Sequence, residues 1–214
     1  MGSVIPLKKS ANSAYLDLKN LVNGRLVEVE KLIEVKLDSK VSLINKMSEY
    51  HLKSGGKRLR ALLTLGSAKL AGYDQKETRD VNLSACVELI HSATLLHDDV
   101  IDEANFRRGF FSINALWKNK IAVLVGDFLL SRGLLLAVKH EEFALLKIMS
   151  TVVQEMSEGE LLQIEKARKL DITEEVYFDI IRKKTATLIA ACCASGANSV
   201  GQSKEVVEQM RLFG

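Results

Sequence analysis

The stretch HSATLLHDDVIDEANFRRG, residues 91–109, decides the fold, because a long apolar helical pattern there ends in a cluster of charges. Apolar residues recur at spacings of three and four over residues 83–101, which predicts a helix with one broad apolar face of about five turns. On that helix Asp98 and Asp102 face the same side, with Cβ atoms about 5–6 Å apart. His91 lies seven residues before Asp98, on the same stripe.

Acidic residues fall where a helix tolerates them least. They are Asp98, Asp99, Asp102 and Glu103, in the last turns of the predicted helix. The C-terminal end of a helix dipole is already negative, so these charges are destabilising unless something compensates them. Mg²⁺ typically takes one or two carboxylates together with water and phosphate oxygens. With Arg107 and Arg108 following, the cluster predicts a site for a magnesium-bound phosphate ester.

A second violation of helix preference lies upstream, where Gly55 and Gly56 interrupt the helical pattern. Three cations then crowd the first turn of the next predicted helix, namely Lys57, Arg58 and Arg60. Cations favour the opposite end of a helix. Together with the free backbone N–H groups of that first turn, they predict a receptor for an anion.

Seven short motifs, taken in order, resemble those of the trans-polyprenyl diphosphate synthases, and most closely the bacterial octaprenyl-type enzymes. They are GGKRLR at 55–60, His91, DDVID at 98–102, RRG at 107–109, VGDFLL at 125–130, EGELLQ at 158–163 and KKTATL at 183–188. Each motif alone is a modest signal, but the ordered set is specific. The resemblance implies an all-α fold, the isoprenoid-synthase helical bundle.

The same resemblance implies a role for each matching side chain. Asp98, Asp99 and Asp102 would ligate Mg²⁺, with Asp98 and Asp102 as the catalytic pair; Lys57, Arg60, His91 and Arg108 would bind isopentenyl diphosphate; Arg107, Lys184 and Thr185 would face an allylic diphosphate. The implied reaction ionises the allylic diphosphate, adds the isopentenyl double bond to the carbocation and then releases a proton. Gln163 matches the family pattern but receives no role.

One family element is missing from the sequence, a second aspartate-rich motif on a later helix. After Asp127 the aspartates are Asp171 and Asp179, and neither is paired. We therefore expect a C-terminally truncated bundle that is inactive alone, or a partner chain that supplies the missing half. Family members are commonly homodimers, so a homodimer is the other expected assembly.

The residues before the first aspartate bear on product length. In this family the positions four and five places before it help to form the floor that stops the growing chain, and here they are Thr94 and Ala93. Neither is aromatic, which predicts a long-chain product.

The composition of the 214 residues, 47% hydrophobic with the single proline Pro6, fits one helical domain spanning 1–214. We predict helices at 10–23, 25–51, 58–71, 76–103, 112–138, 141–167, 173–199 and 203–214. Breaks are expected at Gly24, at Gly55-Gly56, at Gly72 and around Gly109. No strand-like alternation is present.

Several classes of protein are disfavoured. A net charge of +3 and an aromatic content of 6% argue against nucleic-acid binding. The apolar run 121–138 is interrupted by Asp127 and Arg132, which favours a buried helix over a transmembrane segment. The three cysteines show no metal-ligand spacing, as is typical of reduced thiols, and we expect a cytoplasmic protein without a signal peptide.

Two other functions stay open. The chain could be a non-catalytic subunit or regulator of a heteromeric prenyl synthase, although such a subunit need not retain GGKRLR, DDVID and RRG intact. It could also be a metal-dependent phosphohydrolase that uses His97-Asp98 as a metal pair, a chemistry that requires further histidines around the metal.

Overall fold

The computed structural model describes residues 11–54, 56–73 and 77–214. They form α1 (Ala11–Leu37), α2 (Ser42–Lys53), α3 (Leu59–Leu70), α4 (Arg79–Ile101), β1 (Phe106–Arg107), β2 (Phe110–Phe111), α5 (Ile113–Trp117), α6 (Asn119–Lys139), α7 (Phe143–Lys169), α8 (Glu174–Ile181), α9 (Thr187–Ser199) and α10 (Lys204–Phe213). The predicted all-α class is confirmed. The predicted break at Gly55 lies outside the described residues.

α4 runs through the middle of the bundle. It packs against α1, α3, α6 and α9, and every residue from Asp80 to Ala93 is buried. A helix enclosed on all sides has no solvent-exposed face for charged side chains, so polar residues on it need a partner or a ligand. Glu88, His91 and Asp99 are the buried polar residues of α4 that bear on the site.

The predicted break at Gly24 is wrong, because α1 continues through this glycine. The buried stripe of α1 is Val22, Leu26, Val29, Ile33 and Leu37, and its spacing of three and four is uninterrupted. A glycine in a helix costs only about 1 kcal/mol relative to alanine, and burial of this stripe outweighs it. The chain turns instead at residues 38–41, so the predicted helix 25–51 is divided between α1 and α2.

α6 lies along α4. Gly133 makes this approach possible, since a Cβ there would lie 3.0 Å from Ile90 Cγ1. Of the described helices, α6 alone is long and apolar enough to cross a membrane by length and composition. One side, which includes Val125, Leu129 and Leu136, forms part of the core, whereas Leu124 and Leu135 are exposed, so the helix predicted to be buried is buried on one side only.

The RRG motif forms a β-hairpin, so the prediction of no strands is wrong. β1 and β2 pair antiparallel, with Phe106 opposite Phe111. The two residues between the strands, Arg108 and Gly109, have φ of 53° and 82°. Positive φ at both central positions is what a type I′ turn requires, and glycine at the second removes the steric penalty there. The strands of two residues are too short to show alternation.

Two predicted helices are subdivided. The helix predicted at 112–138 is α5 followed by α6, because Lys118 between them has a φ of 71°. The helix predicted at 173–199 contains a π-helical turn at Arg182–Ala186 between α8 and α9. Such turns are rare and are frequent at functional sites. This one contains Lys183, Lys184 and Thr185, and it packs against Gly159 of α7, where a Cβ would lie 2.8 Å from Lys183 Cβ.

Candidate active site

A cavity of about 520 Å³ opens between α2, the start of α3, α4 and the hairpin turn. Its charged and histidine side chains, here called the basic pocket, are His51, Lys57, Arg58, Arg60, His91 and Arg108, with the carboxylate of Glu88 among them. The structure thus brings together all four residues that the resemblance assigns to isopentenyl diphosphate: Lys57, Arg60, His91 and Arg108. They come from three segments of the chain up to 51 residues apart.

Gly56 explains how two of the motifs meet. The Arg108 guanidinium lies against its Cα, and a Cβ at position 56 would overlap Nη1 of that arginine. The neighbouring Lys57 is held from α1, since its carbonyl accepts a hydrogen bond from Tyr15 Oη at 3.2 Å and its ammonium lies 5.5 Å from the Tyr15 ring centroid. GGKRLR and RRG therefore form one surface.

Glu88 organises the N-terminus of α3. Its Oε1 accepts the backbone N–H of Ala61 at 3.0 Å, and its Oε2 lies 3.7 Å from Nη1 of Arg58. Arg58 has a φ of 48°, a conformation uncommon for a residue with a side chain. The anion receptor predicted at this helix end therefore has one backbone donor fewer, because Glu88 accepts a hydrogen bond from it. The cationic side chains of the predicted receptor are still present.

Both histidines of the pocket are held neutral. Burial, reinforced by Arg60, Arg108, Arg107 and His51, lowers the pKa of His91 to about 3. Burial and then Arg58, Arg108 and Arg107 lower the pKa of His51 to about 4. Among the described residues, His91 Nδ1 and Arg60 Nε are buried without a hydrogen-bond partner. The Arg60 N–H is a buried donor of the kind that suits an anionic ligand.

Three carboxylates form a second cluster, here called the acidic edge: Asp98 and Asp102 near the end of α4, and Glu160 on α7. Burial raises the pKa of Asp98, and the nearby charges of Glu160 and Asp102 raise it further. Lys184 and Arg107 act in the opposite direction. The prediction that Asp98 and Asp102 share one side of α4 agrees with the backbone hydrogen bond of 2.8 Å from Asp102 to Asp98.

Asp99 is engaged differently from its neighbours. It is buried, and Arg107 Nε donates to its two oxygens at 2.7 and 2.8 Å. This ion pair connects α4 to β1 and raises the pKa of Arg107. Within the described ranges no group of three candidate ligands is positioned to hold a metal ion. Because Arg107 occupies both oxygens of Asp99, this carboxylate anchors Arg107, and its predicted role as a metal ligand has no geometric support.

The π-helical turn faces the acidic edge. Lys184 Nζ lies 2.5 Å from a carboxylate oxygen of Glu160 and donates to Gln163 Oε1 at 2.9 Å. Thr185 is exposed. The EGELLQ motif contains both Glu160 and Gln163, yet neither residue received a role from the sequence. Lys184 and Arg107 lie near enough to Asp98 for their charges to lower the pKa of its carboxyl.

His97 does not form a metal pair with Asp98. Its ring packs against Gly126 of α6, with Nε2 3.4 Å from Val123 O and 3.4 Å from Asp127. The Asp98 carboxylate instead faces Glu160 and Lys184. Adjacent positions on a helix point in different directions, so the predicted His-Asp metal pair of a phosphohydrolase is not formed here.

The donors of the acidic edge fit Mg²⁺ bound in one particular way. Asp98 and Asp102 supply the hard oxygen ligands that this ion prefers, but only two of them from one helix. An ion held there would need further oxygens, and the phosphates of a substrate and water are the usual source. The cationic side chains Arg107 and Lys184 beside these carboxylates favour such a phosphate.

Comparison with known proteins gives the family. The sequence model of polyprenyl synthetase matches residues 41–214. The all-trans-nonaprenyl-diphosphate synthase (geranyl-diphosphate specific) of Rhodobacter capsulatus is 38% identical over 185 residues, 86% of this chain and 56% of that protein. The octaprenyl diphosphate synthase of Escherichia coli is 37% identical over 197 residues, 92% of this chain and 60% of that protein.

A solved structure agrees. The polyprenyl synthase of Caulobacter crescentus CB15, complexed with calcium and isoprenyl diphosphate, superposes with a TM-score of 0.89 at 37% identity, over 96% of this chain and 61% of that one. The chain spans about 60% of the length of these relatives. On the family match, the shared fold and the ordered motifs, the chain belongs to the polyprenyl synthetase family, whose named members are prenyltransferases.

Proposed function

We propose that this chain carries the diphosphate-binding portion of a magnesium-dependent trans-polyprenyl diphosphate synthase. The observation that supports the proposal most is the placement of two sites of opposite charge along α4. The basic pocket gathers around His91, and the acidic edge begins two turns later at Asp98. The proposed reaction joins two diphosphate substrates, and one of them loses its diphosphate group. It therefore needs both kinds of site.

In this proposal the basic pocket binds isopentenyl diphosphate, which does not lose its diphosphate. Lys57 and Arg60 supply positive charge from the start of α3 and Arg108 from the hairpin turn, and arginine is suited to bidentate binding of phosphate oxygens. His91 lies on the α4 side of the same cavity. Holding this substrate in one orientation presents its double bond to the second substrate.

The allylic diphosphate is proposed to bind at the acidic edge, where Arg107, Lys184 and Thr185 would face it. Asp98 and Asp102 would hold Mg²⁺, which acts as a Lewis acid on the leaving oxygens. Lys184 bonds to Glu160 and Gln163, so its ammonium is oriented in advance for a developing negative charge. The carbon–oxygen bond of the allylic substrate then breaks, the isopentenyl double bond forms the new carbon–carbon bond, and a proton is lost.

We further propose a long-chain product. Ala93 is buried one turn and a half before Asp98, and the neighbouring Thr94 donates its hydroxyl to the His91 carbonyl at 2.8 Å. Neither side chain is large enough to close the path of a growing chain. In a version of the protein extended to the full family length, Ala93→Tyr is expected to shorten the product; an unchanged product length would reject this role.

The assembly is proposed to be a homodimer. α6 exposes the apolar side chains of Leu124, Leu134, Leu135 and Val138, a surface that favours packing against another helix, and Leu135 is 59% exposed. Sedimentation of the wild type against Leu135→Glu tests this. A wild type that sediments as a monomer would contradict the homodimer. So would co-purification with a second prenyl synthase component.

Calorimetry tests the function directly. The chain is titrated with isopentenyl diphosphate and with a geranyl-type allylic diphosphate, each with Mg²⁺ and with a chelator. We expect binding of the allylic ligand to require Mg²⁺ and binding of isopentenyl diphosphate not to require it. We expect Lys57→Ala to weaken the binding of isopentenyl diphosphate about tenfold or more. Lys40→Ala, outside the pocket, is the control. A folded chain that binds neither ligand would contradict the proposal.

A version extended by the C-terminal segment of the Escherichia coli relative tests turnover. We expect it to condense the two diphosphates with Mg²⁺, and we expect the Asp98→Asn form of the same extended protein to be inactive. A folded, extended wild type without activity would favour a non-catalytic subunit.

A further inference from the structure

His51 lies at the end of α2, outside every motif of the sequence, yet its side chain lines the basic pocket together with Lys57, Arg60 and His91. The last turn of α2 that carries it is closed by Ser54, whose Oγ donates to the His51 carbonyl at 2.7 Å. The adjacent Tyr50 ties the same turn to the hairpin, since its Oη donates to the Phe111 carbonyl at 2.8 Å. The imidazole is thus held beside the hairpin turn by the backbone around it.

The charges that face His51 are nearly all of one sign. They come from each element packed around it: Lys57 and Arg58 before α3, Arg60 in α3, Arg107 and Arg108 on the hairpin, and Glu88 on α4 beside the neutral His91. Burial and these cations keep the pKa of the imidazole at about 4, so it is neutral near pH 7. A multiply charged anion among the same cations would raise the pKa of the imidazole, because its charge favours the protonated form and its oxygens accept a hydrogen bond from the imidazole N–H.

We propose that His51 is a further binding residue of the basic pocket, which takes up a proton when a diphosphate enters and then donates a hydrogen bond to it. This inference rests on the proposed function, because it takes the basic pocket to be a diphosphate site. Neutrality in the absence of ligand limits the repulsion among the cations that surround it, and the extra charge appears only when an anion is present. His51 would thereby make diphosphate affinity depend on pH.

Proton uptake on binding is the measurable consequence. The 214-residue chain is titrated with inorganic pyrophosphate, without Mg²⁺, in two buffers of different protonation enthalpy between pH 6 and pH 8. At pH 6 we expect the wild type to take up roughly half a proton more than His51→Gln. We also expect His51→Gln to bind about fivefold more weakly, since a charge-assisted hydrogen bond is lost. This difference should shrink towards pH 8.

Two further variants separate the inference from the function on which it rests. His140→Gln changes an exposed histidine at the end of α6 and is expected to match the wild type. Lys57→Ala is expected to lose most of the pyrophosphate affinity. If the wild type binds no pyrophosphate, or Lys57→Ala binds as well as the wild type, the proposed function fails and His51 with it. If Lys57→Ala loses binding while His51→Gln keeps both proton uptake and affinity, only the role of His51 is overturned.

Spectra of the wild type decide the question if His51→Gln does not fold. The chain has four histidines, so carbon–proton spectra contain four imidazole signals. At pH 6 we expect pyrophosphate to move the His51 signal, which is still present in His91→Gln, towards the protonated position. If no signal moves in His91→Gln, the inference is overturned.

Discussion

The basic pocket and the acidic edge lie two turns apart on the same buried helix, and they treat charge in opposite ways. In the pocket, cations surround two neutral histidines, and Glu88 secures Arg58 and the first turn of α3. At the edge, carboxylates gather around Asp98, while Arg107 is secured by Asp99 and Lys184 by Glu160.

The difference between the two regions separates structural charges from charges available to a ligand. Ion pairs hold the side chains of each region in place: Arg58 with Glu88 in the pocket, and Arg107 with Asp99 and Lys184 with Glu160 at the edge. The remaining side chains carry a net positive charge in the pocket and a net negative charge at the edge. A diphosphate alone complements the positive charge of the pocket, and a diphosphate with a divalent ion complements the negative charge of the edge.

The most severe test of this comparison removes two carboxylates of the acidic edge. In Asp98→Asn/Asp102→Asn we expect magnesium-dependent binding of an allylic diphosphate to fall about a thousandfold, equivalent to about 4 kcal/mol, because the ion loses both carboxylates. Calorimetry with and without Mg²⁺ measures it. Binding of isopentenyl diphosphate should barely change. Asp127→Asn, an exposed carboxylate on α6, is the control. Equal losses for both ligands would mean that the two regions are one site.

Breaking a structural pair should cost stability. Arg107→Met leaves the Asp99 carboxylate, 3% exposed, without its guanidinium. We expect the free energy of unfolding to fall by about 4 kcal/mol, because an uncompensated charge stays buried. Urea unfolding measures it, and adding Asp99→Asn should recover part of the loss. Arg211→Met, whose partner Glu208 is half exposed, should cost less than 1 kcal/mol. Similar losses in the two variants would show that Asp99 is not buried as described.

Acid should weaken the fold through the pocket histidines. Their pKa values are about 3 for His91 and about 4 for His51, against 6.5 when unfolded. Below pH 6.5 the unfolded chain therefore binds more protons than the folded one, and stability falls as pH falls. Between pH 7 and pH 5 we expect a loss of about 3 kcal/mol, measured by urea unfolding at each pH. His51→Gln/His91→Gln should flatten this slope. An equal slope in that variant would contradict neutral histidines in the folded state.

The smallest effect concerns the contact that joins α2 to the hairpin. Tyr50→Phe removes the hydrogen bond to Phe111 O and keeps the edge-to-face contact with Trp117, whose ring centroid is 5.3 Å away. We expect a loss of about 1 kcal/mol in urea unfolding, with unchanged magnesium-dependent binding at the acidic edge. A large loss of allylic binding instead would indicate that the hairpin positions both regions.

The sequence predicted the class of the fold and singled out four residues that line one cavity, Lys57, Arg60, His91 and Arg108, because helical periodicity and short motifs are local signals. It misplaced the end of the first helix at Gly24, since the burial of an apolar stripe against distant helices decides whether a glycine interrupts a helix. It missed the hairpin, whose strands of two residues are too short to carry a pattern. It grouped Asp99 with Asp98 and Asp102, although adjacent helical positions point to different surroundings.

Other residues could not be assigned from the sequence because their roles depend on neighbours far along the chain. Glu160 acquires its role by facing Asp98 and Lys184, and Glu88 by capping a helix that begins 29 residues earlier in the chain. His51 carries no motif at all. Each is recognised only once the helices are packed.

The order of the motifs, the helical class and the types of residue at each site were determined by the sequence alone, since they depend on spacing within one segment. Tertiary structure decided which charges line the cavity and which join one segment to another. That distinction depends on burial and on contacts between segments. Arg107 and Arg108 are adjacent in the sequence, yet one is anchored to Asp99 and the other lies against Gly56 in the basic pocket.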